Sequence, residues 1–277
     1  MAKFGMVIDL DRCMGCRACM EACKVENNTT QAVFWMYVFR FEEGEYPNVN
    51  ISFMPRPCQH CDNPPCAKVC PVGARYKRED GLVATDLDRC IGCRYCQVAC
   101  PYGVNYFNWT SPKATVKAGD TLLSVSAPGA SGLRLGASYV PKLPQYLDWS
   151  GPAAEAVGKV TGGVVPPYKN PDLVKSYGPE RRRIAGGEHP KGVIEKCTFC
   201  VHRVEKGMDP ACVANCPVSA LHFGDTEDPQ SEVSRLLRQR QAWQLLEENN
   251  TKPRVFYLGG KPPGTETRQI EAVKARV

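Results

Sequence analysis

Asp9–Cys23 reads DLDRCMGCRACMEAC and Asp86–Cys100 reads DLDRCIGCRYCQVAC, identical at 11 of 15 positions. Each stretch spaces four cysteines C-x2-C-x2-C-x3-C, so that a single short loop turns the three that stand three apart toward a common centre: Cys13, Cys16 and Cys19, followed by Cys23, in the first, and Cys90, Cys93 and Cys96, followed by Cys100, in the second. Working outward, the other eight of the 16 cysteines form two more groups of four. Cys58, Cys61, Cys66 and Cys70 follow C-x2-C-x4-C-x3-C, and Cys197, Cys200, Cys212 and Cys216 follow C-x2-C-x11-C-x3-C. Three groups run on into Pro71, Pro101 and Pro217, whereas Cys23 runs on into Lys24. No cysteine is left over.

Cysteine makes up about 6% of the 277 residues. A disulfide scaffold of that density is ordinarily a secreted chain shorter than ~100 residues, and cysteines three apart do not reach for distant partners. Structural zinc takes two C-x2-C pairs per tetrahedral ion and has no use for the third and fourth cysteines of the tight run. The run fits [4Fe–4S] clusters, in which three thiolates hold one cubane and the fourth reaches a neighbouring one. Soft thiolates suit iron and sulfide electronically, and four such clusters consume all sixteen ligands. Gly15 and Gly92 supply positive φ where backbone wraps a cubane. The prolines stop the turn after the last ligand from extending as helix. Spacing alone leaves three ways to pair the four groups.

The groups also repeat. PPCAKVCPVGA (64–74) is similar to DPACVANCPVSA (209–220), so groups one and two recur as groups three and four, the mark of a duplicated module. Cys23 and Cys58 are 35 residues apart but Cys100 and Cys197 are 97 apart, an excess of 62. That excess falls in 111–190, which holds 10 Pro, 11 Gly and no Cys. The expected fold is α+β: duplicated two-[4Fe–4S] bacterial ferredoxin-like modules with a long loop-rich insertion. The expected boundaries are 1–110 for the first three groups, 111–190 for the insertion, 191–258 for the fourth group and a C-terminal helix, and 259–277 for a loosely held tail. Tyr146, Trp149, Tyr168 and Tyr177 would anchor the insertion as an arm that grips a partner subunit. Phe34–Glu43 reads as a strand, and GLVATD and ALHFGD read as short ferredoxin strands. The helix near the end would be capped by Asp228 with Pro229 in its first turn, and would line up Val233, Leu236, Leu237, Trp243 and Leu246.

At 43% apolar and 23% charged residues the chain is globular in composition. No run reaches the ~18 apolar residues of a membrane span, so no direct span is expected. MAKFGMVIDLDR leaves no room before Cys13 for a charged-then-apolar signal peptide. The formal charge is +6, and four clusters at −2 each bring the loaded chain to about −2. Arg17, Lys24, Lys68, Arg75, Arg89, Arg94, Lys196 and Arg203 stand beside ligands and offset that negative charge. They are therefore no basic patch for nucleic acid. His60, His189, His202 and His222 form no pair or triad and read as structural. His60, between two ligands, is a candidate to tune its cluster through a hydrogen bond.

GMVIDLDRCMGCRACMEACK, CQHCDNPPCAKVCPVGA, DRCIGCRYCQVACPYG and EKCTFCVHR resemble the four-cluster iron–sulfur subunits of molybdopterin oxidoreductases, over residues 1–110 and 190–258. The dimethyl sulfoxide, polysulfide, tetrathionate and nitrite reductases, sulfite-oxidising enzymes and alternative complex III are in this group; DPQSEVSRLL and NTKPRVFYL look most like the polysulfide, tetrathionate and alternative complex III branch. The resemblance implies the pairing. Cys13, Cys16, Cys19 and Cys216 would hold cluster 1; Cys197, Cys200, Cys212 and Cys23 cluster 2; Cys58, Cys61, Cys66 and Cys100 cluster 3; and Cys90, Cys93, Cys96 and Cys70 cluster 4. It implies an electron-transfer subunit with no bond chemistry of its own, between a molybdopterin catalytic subunit and a multi-span, quinone-reactive membrane anchor. It also implies peripheral attachment to the cytoplasmic membrane through those partners, on its periplasmic or its cytoplasmic face. The alternatives are the iron–sulfur subunit of a membrane hydrogenase or formate dehydrogenase, and the iron–sulfur arm of an alternative complex III-type quinol oxidoreductase.

Overall fold

The computed structural model describes residues 2–30, 33–109 and 189–260, with the short strand Arg268–Gln269. The expected insertion up to residue 188, with its four aromatic anchors, lies outside the described residues, as does nearly all of the tail.

Strand β1 (Phe4–Asp9) runs through the middle of a four-stranded sheet. Its alternating side chains divide the interior, as a period of two requires. Met6 and Ile8 face the main core, which contains Cys19, Cys23, Cys58, Cys61, Cys197 and Cys212. Val7 faces the other way, onto Val233 and Leu258. Antiparallel β8 (Leu221–Asp225) and parallel β10 (Val255–Leu258) flank β1, and β9 (Ala242–Trp243) closes the edge beyond β10. A long hairpin, β2 (Tyr37–Glu45) and β3 (Asn48–Arg56), forms a second sheet, joined by β11 (Arg268–Gln269). Two small pairs, β4 (Arg75–Lys77) with β5 (Val83–Thr85) and β6 (Tyr106–Phe107) with β7 (Ile194–Glu195), complete the strands. The stretches read as strands at 34–43, GLVATD and ALHFGD thus correspond to β2, β5 and β8.

The helices come directly after the cysteine loops. Arg17 and Arg94, equivalent in the two near-identical stretches, both take left-handed conformations (φ 64 and 62) and open α1 (Ala18–Asn27) and α3 (Tyr95–Val98). Their lengths differ because of the residue after the fourth cysteine. Pro101 succeeds Cys100, and a proline lacks the N–H and the room that a helix interior needs, so α3 stops after one turn. Lys24 succeeds Cys23, and α1 runs on to Asn27. The other cysteine helices, α2 (Pro65–Lys68), α4 (Val201–Val204) and α5 (Ala211–Ala214), are single turns. Packing of α1 on α5 and of α2 on α3 brings cysteines distant in sequence together.

The C-terminal helix differs from the expectation. Helix α6 (Glu232–Gln239) is capped by Ser231, whose Oγ accepts from the Ser234 amide at 3.1 Å. Asp228 instead closes a local turn on the Gln230 amide. The helix ends before Trp243, which lies on β9, and Leu246 opens a short 3-10 turn (Glu247–Asn249). Only Val233, Leu236 and Leu237 of the expected apolar stripe are on one helix, and they cover the back of β1.

Candidate metal centres

The sixteen sulfurs stand unbridged and gather in four sets. Cys58, Cys61, Cys66 and Cys100 line one hollow, and Cys70, Cys90, Cys93 and Cys96 line another. The other two sets are defined by mutual repulsion of their thiolates. Cys19 is influenced by Cys13, Cys216 and Cys16, and Cys212 by Cys200, Cys23 and Cys197. Among the described residues no three His, Cys, Asp or Glu side chains converge closely enough to hold a single ion.

The structure thus brings Cys100 beside the 58–66 group, Cys70 beside the 90–96 group, Cys216 beside Cys13 and Cys19, and Cys23 beside Cys200 and Cys212. The sets also have an order. Cys19 of the first set feels its neighbours while itself acting on Cys23 and Cys212 of the second. Cys58 of the third set acts on Cys197 of the second. The fourth set adjoins the third through α2 and α3.

The chemistry of the sets tests whether clusters fit. Burial first, with repulsion from sister sulfurs, raises the Cys19 and Cys61 thiols to about 12 and the Cys66 thiol to about 11. Four crowded, desolvated thiolates are stable only around a positive core, which iron would supply. Donors are already aimed at the sulfurs. The Ala220 amide lies 3.2 Å from Cys216 Sγ, that of Phe199 3.4 Å from Cys197 Sγ, and that of Ile194 3.5 Å from Cys90 Sγ. The residues fit [4Fe–4S] clusters.

Exposure separates the sets. Cys16 in the first and Cys93 in the fourth are exposed, whereas Cys23, Cys197, Cys200 and Cys212 of the second are all buried. In the third only Cys100 is even half-buried; the rest are buried. Met14 beside Cys16, and Ile91, Tyr95 and Val98 around Cys93, expose apolar side chains to solvent.

The eight basic residues beside ligands are not equivalent. Arg75, Lys196 and Arg203 are buried, but Lys68 and most of Arg89 face solvent. Lys24 Nζ is spent on the carbonyls of Thr29, Thr30 and Val33. The Arg94 guanidinium lies over the adjacent rings of Phe107 and Trp109, at 4.0 and 4.1 Å.

His60 does not reach a sulfur with either nitrogen. Nδ1 accepts from the Val83 amide at 3.0 Å and Nε2–H donates to the Cys197 carbonyl at 2.9 Å. Burial, with help from Lys196, holds its pKa well below the usual range, so the ring is neutral. It ties the third set to the second through backbone, stacked on Phe199.

Sequence reading missed Asn27, whose buried side-chain amide lies 3.6 Å from the sulfurs of both Cys23 and Cys200. The signal was available: Asn27 is four residues after Cys23, one turn further along the same helical face. It also missed two buried ion-pair groups. Glu26 holds His202 at 2.7 Å and Arg203 at 3.3 Å, and His189 meets Glu195 at 2.6 Å. Glu26 is 176 and 177 residues from its two partners, a pairing that depends on tertiary packing, and His189 and Glu195 are 6 residues apart.

Comparison with known proteins gives two matches to 4Fe-4S dicluster domain families, one over residues 12–74 and the other over 49–118 and 183–226. The chain is 40% identical over 256 residues to the arsenate respiratory reductase iron–sulfur subunit of Shewanella sp. strain ANA-3, covering 92% of this chain and 96% of the relative. It is 36% identical to the putative iron–sulfur subunit of a dimethyl sulfoxide reductase of Halobacterium salinarum, with 94% and 80% coverage. It is 32% identical to the menaquinone reductase iron–sulfur cluster-binding subunit of Nitratidesulfovibrio vulgaris, with 92% and 88% coverage. Two dicluster domains amount to four [4Fe–4S] clusters.

Proposed function

The chain belongs to the family of four-cluster iron–sulfur subunits of the dimethyl sulfoxide, arsenate, selenate, tetrathionate and sulfite oxidoreductases, and from that premise we propose that it conducts electrons between a molybdopterin catalytic subunit and a quinone-reactive membrane subunit. The observation that carries this reading is the pattern of exposure: two buried sulfur sets between two that each surface at one cysteine, Cys16 and Cys93. Each [4Fe–4S] cluster supplies a site that takes and gives one electron. Everything else is the work of this chain's residues.

Cys13, Cys16, Cys19 and Cys216 are the proposed ligands of cluster 1; Cys23, Cys197, Cys200 and Cys212 of cluster 2; Cys58, Cys61, Cys66 and Cys100 of cluster 3; and Cys70, Cys90, Cys93 and Cys96 of cluster 4. Sharing each tight run between two sets keeps neighbouring sites close, because one loop holds three ligands of one and the adjoining helix presents a ligand of the next. The two runs descend, on this reading, from one duplicated module, in keeping with the matching left-handed Arg17 and Arg94. Burial of the middle sets excludes water and oxygen from the interior stations. Exposed apolar residues at the two ends, Met14 on one side and Ile91, Tyr95 and Val98 on the other, suit surfaces that partner subunits cover. No helix among the described residues is long and apolar enough to cross a membrane, so the membrane association proposed here runs through a partner. The 111–190 insertion is proposed to be an arm on such a partner; deleting Ser111–Lys169 should weaken co-purification while clusters still form.

The experiment is an anaerobic affinity pull-down of the full chain from native membranes, with metal analysis and identification of what comes along. The expected result is molybdenum or tungsten, about 16 iron per chain (four per cluster), and a multi-span membrane subunit. The same iron with no pterin-bearing subunit would overturn the proposal.

A further inference from the structure

The buried cations of this chain fall into two kinds. Arg203 has a carboxylate partner in Glu26 at 3.3 Å, and Arg254 has one in Asp62 at 3.1 Å. Arg75 and Lys196 have none among the described residues. Arg75, at the start of β4, is 3% exposed. Its Nη2 lies 3.6 Å from Cys96 Sγ, while Nε and Nη1 are buried without a partner. Lys196, 2% exposed, directs Nζ to two backbone carbonyls, those of Val83 and Cys197. The imidazole of His60, bonded to the Val83 amide and the Cys197 carbonyl, supplies no negative charge in either protonation state.

A guanidinium stays protonated in a protein, and burying it without a counter-charge is costly. The sulfur sets beside these two cations supply negative charge. Arg75 lines the hollow of the fourth sulfur set with its guanidinium on Cys96 Sγ, and Cys96 packs in one buried cluster with Cys66 of the third set; its charge favours the thiolates of both. Lys196 lines the hollow of the third set and favours the thiolates of Cys66 and of Cys197 in the second. The third set is thus lined by Lys196 and adjoins Arg75 through the packing of Cys66 on Cys96. By contrast, neither cation figures among the influences on the first set.

Resting on the four-cluster reading, we propose that Arg75 is the shared counter-charge of clusters 3 and 4, and that with Lys196 on its other flank it makes cluster 3 the most readily reduced station of the chain. The reason is electrostatic. Adding one electron takes a cubane with its four thiolates from a net charge of −2 to −3, and a fixed positive charge in a dry interior favours the more negative form. Arg75 and Lys196 are positioning residues here: they carry no electron, but set where one rests. An electron-holding station buried between two others matches the exposure pattern, since it is out of reach of oxygen and open only to its neighbours.

The test is a reductive titration with dithionite, one electron per cluster, followed by electron paramagnetic resonance on the anaerobically purified full chain. A Cys61→Ser variant identifies the cluster 3 signal. The wild type should show that signal at the highest potential. Arg75→Gln should lower the reduction constants of two clusters, one of them cluster 3, at least tenfold, about 59 mV for a one-electron couple; the other two should move less than twofold. Arg75→Lys should keep most of the wild-type values, and Lys196→Gln should lower cluster 3 again, together with a different neighbour. If Arg75→Gln loses iron, the Lys196→Gln shift at cluster 3 decides. Unmoved potentials with full iron, or an Arg75→Lys loss as large as that of Arg75→Gln, would overturn the inference. A wild type without about 16 iron would instead overturn the cluster reading beneath it.

Discussion

Replacing Gly92 by alanine should damage the protein more than the same change at Gly15, although the two glycines occupy the same place in near-identical loops. Both have positive φ, +66 at Gly92 and +70 at Gly15. Each substitution therefore incurs about 1 kcal/mol of left-handed strain. The difference is in what the new Cβ meets. At Gly15 it would overlap the ring of Phe53, a half-buried side chain that can swing outward at the loss of about 1 kcal/mol of burial. At Gly92 it would overlap the backbone carbonyl oxygen of Gly192. That carbonyl cannot rotate away alone. Its strand entry is held by Gly192 N donating to Asn108 O at 2.8 Å and Asn108 N donating to Val193 O at 2.9 Å. Losing both bonds adds about 2 kcal/mol. The expected costs are thus about 3 kcal/mol for Gly92→Ala and about 2 kcal/mol for Gly15→Ala. Anaerobic urea unfolding of the loaded protein, at matched slopes, measures both. Iron analysis should also show Gly92→Ala losing metal, because Gly92 joins Cys90 to Cys93. A Gly92→Ala cost below about 1 kcal/mol, or one smaller than that of Gly15→Ala, would refute the reasoning.

Glu26→Ala strands Arg203 and His202 in the interior, so unfolding free energy should fall by about 3–5 kcal/mol; urea titration checks it, and a loss under about 1 kcal/mol would contradict the pairing. For His189, burial works against the imidazolium, but Glu195 outweighs it and the pKa is raised. A raised histidine stabilises the fold fully below its unfolded value near ~6.5 and loses that contribution as pH climbs through the folded value. Stability should therefore decline upward from about pH 6.5 in the wild type and be flatter in His189→Gln, as melting temperatures across that range would report. Cys96→Ser should remove or convert one cluster, with up to about four of 16 iron lost and quinone-linked turnover interrupted; unchanged iron and turnover would count against the ligand sets.

The cysteine groups and the turn chemistry were legible because both are local. The positive φ at Gly15 and Gly92 and the short helices before Pro101 and Pro217 arise from a few adjacent residues. Lys24 was visible as a departure, yet its consequence, a helix carried on to Asn27, required knowing that nothing else stops it. The cap at Ser231 was misread because Asp228 and Ser231 are both good capping residues, and only the turn that Asp228 makes with Gln230 decides between them. Leu246 and Trp243 kept a helical period beyond the helix end, where pairing of β9 with β10 overrides it. Arg75 was one of eight basic residues next to ligands until burial separated it from the exposed ones. Glu26 with His202, and Lys196 with Val83, are contacts across more than a hundred residues, which no local pattern encodes.

The measurement that bears most directly on the central claim is a combined count of iron, acid-labile sulfide and electrons taken up by the anaerobically purified chain. The account predicts about 16 iron, about 16 sulfide and about four electrons per chain, in four one-electron steps. Zinc in place of iron without sulfide, or iron that accepts no electrons from dithionite, would contradict it.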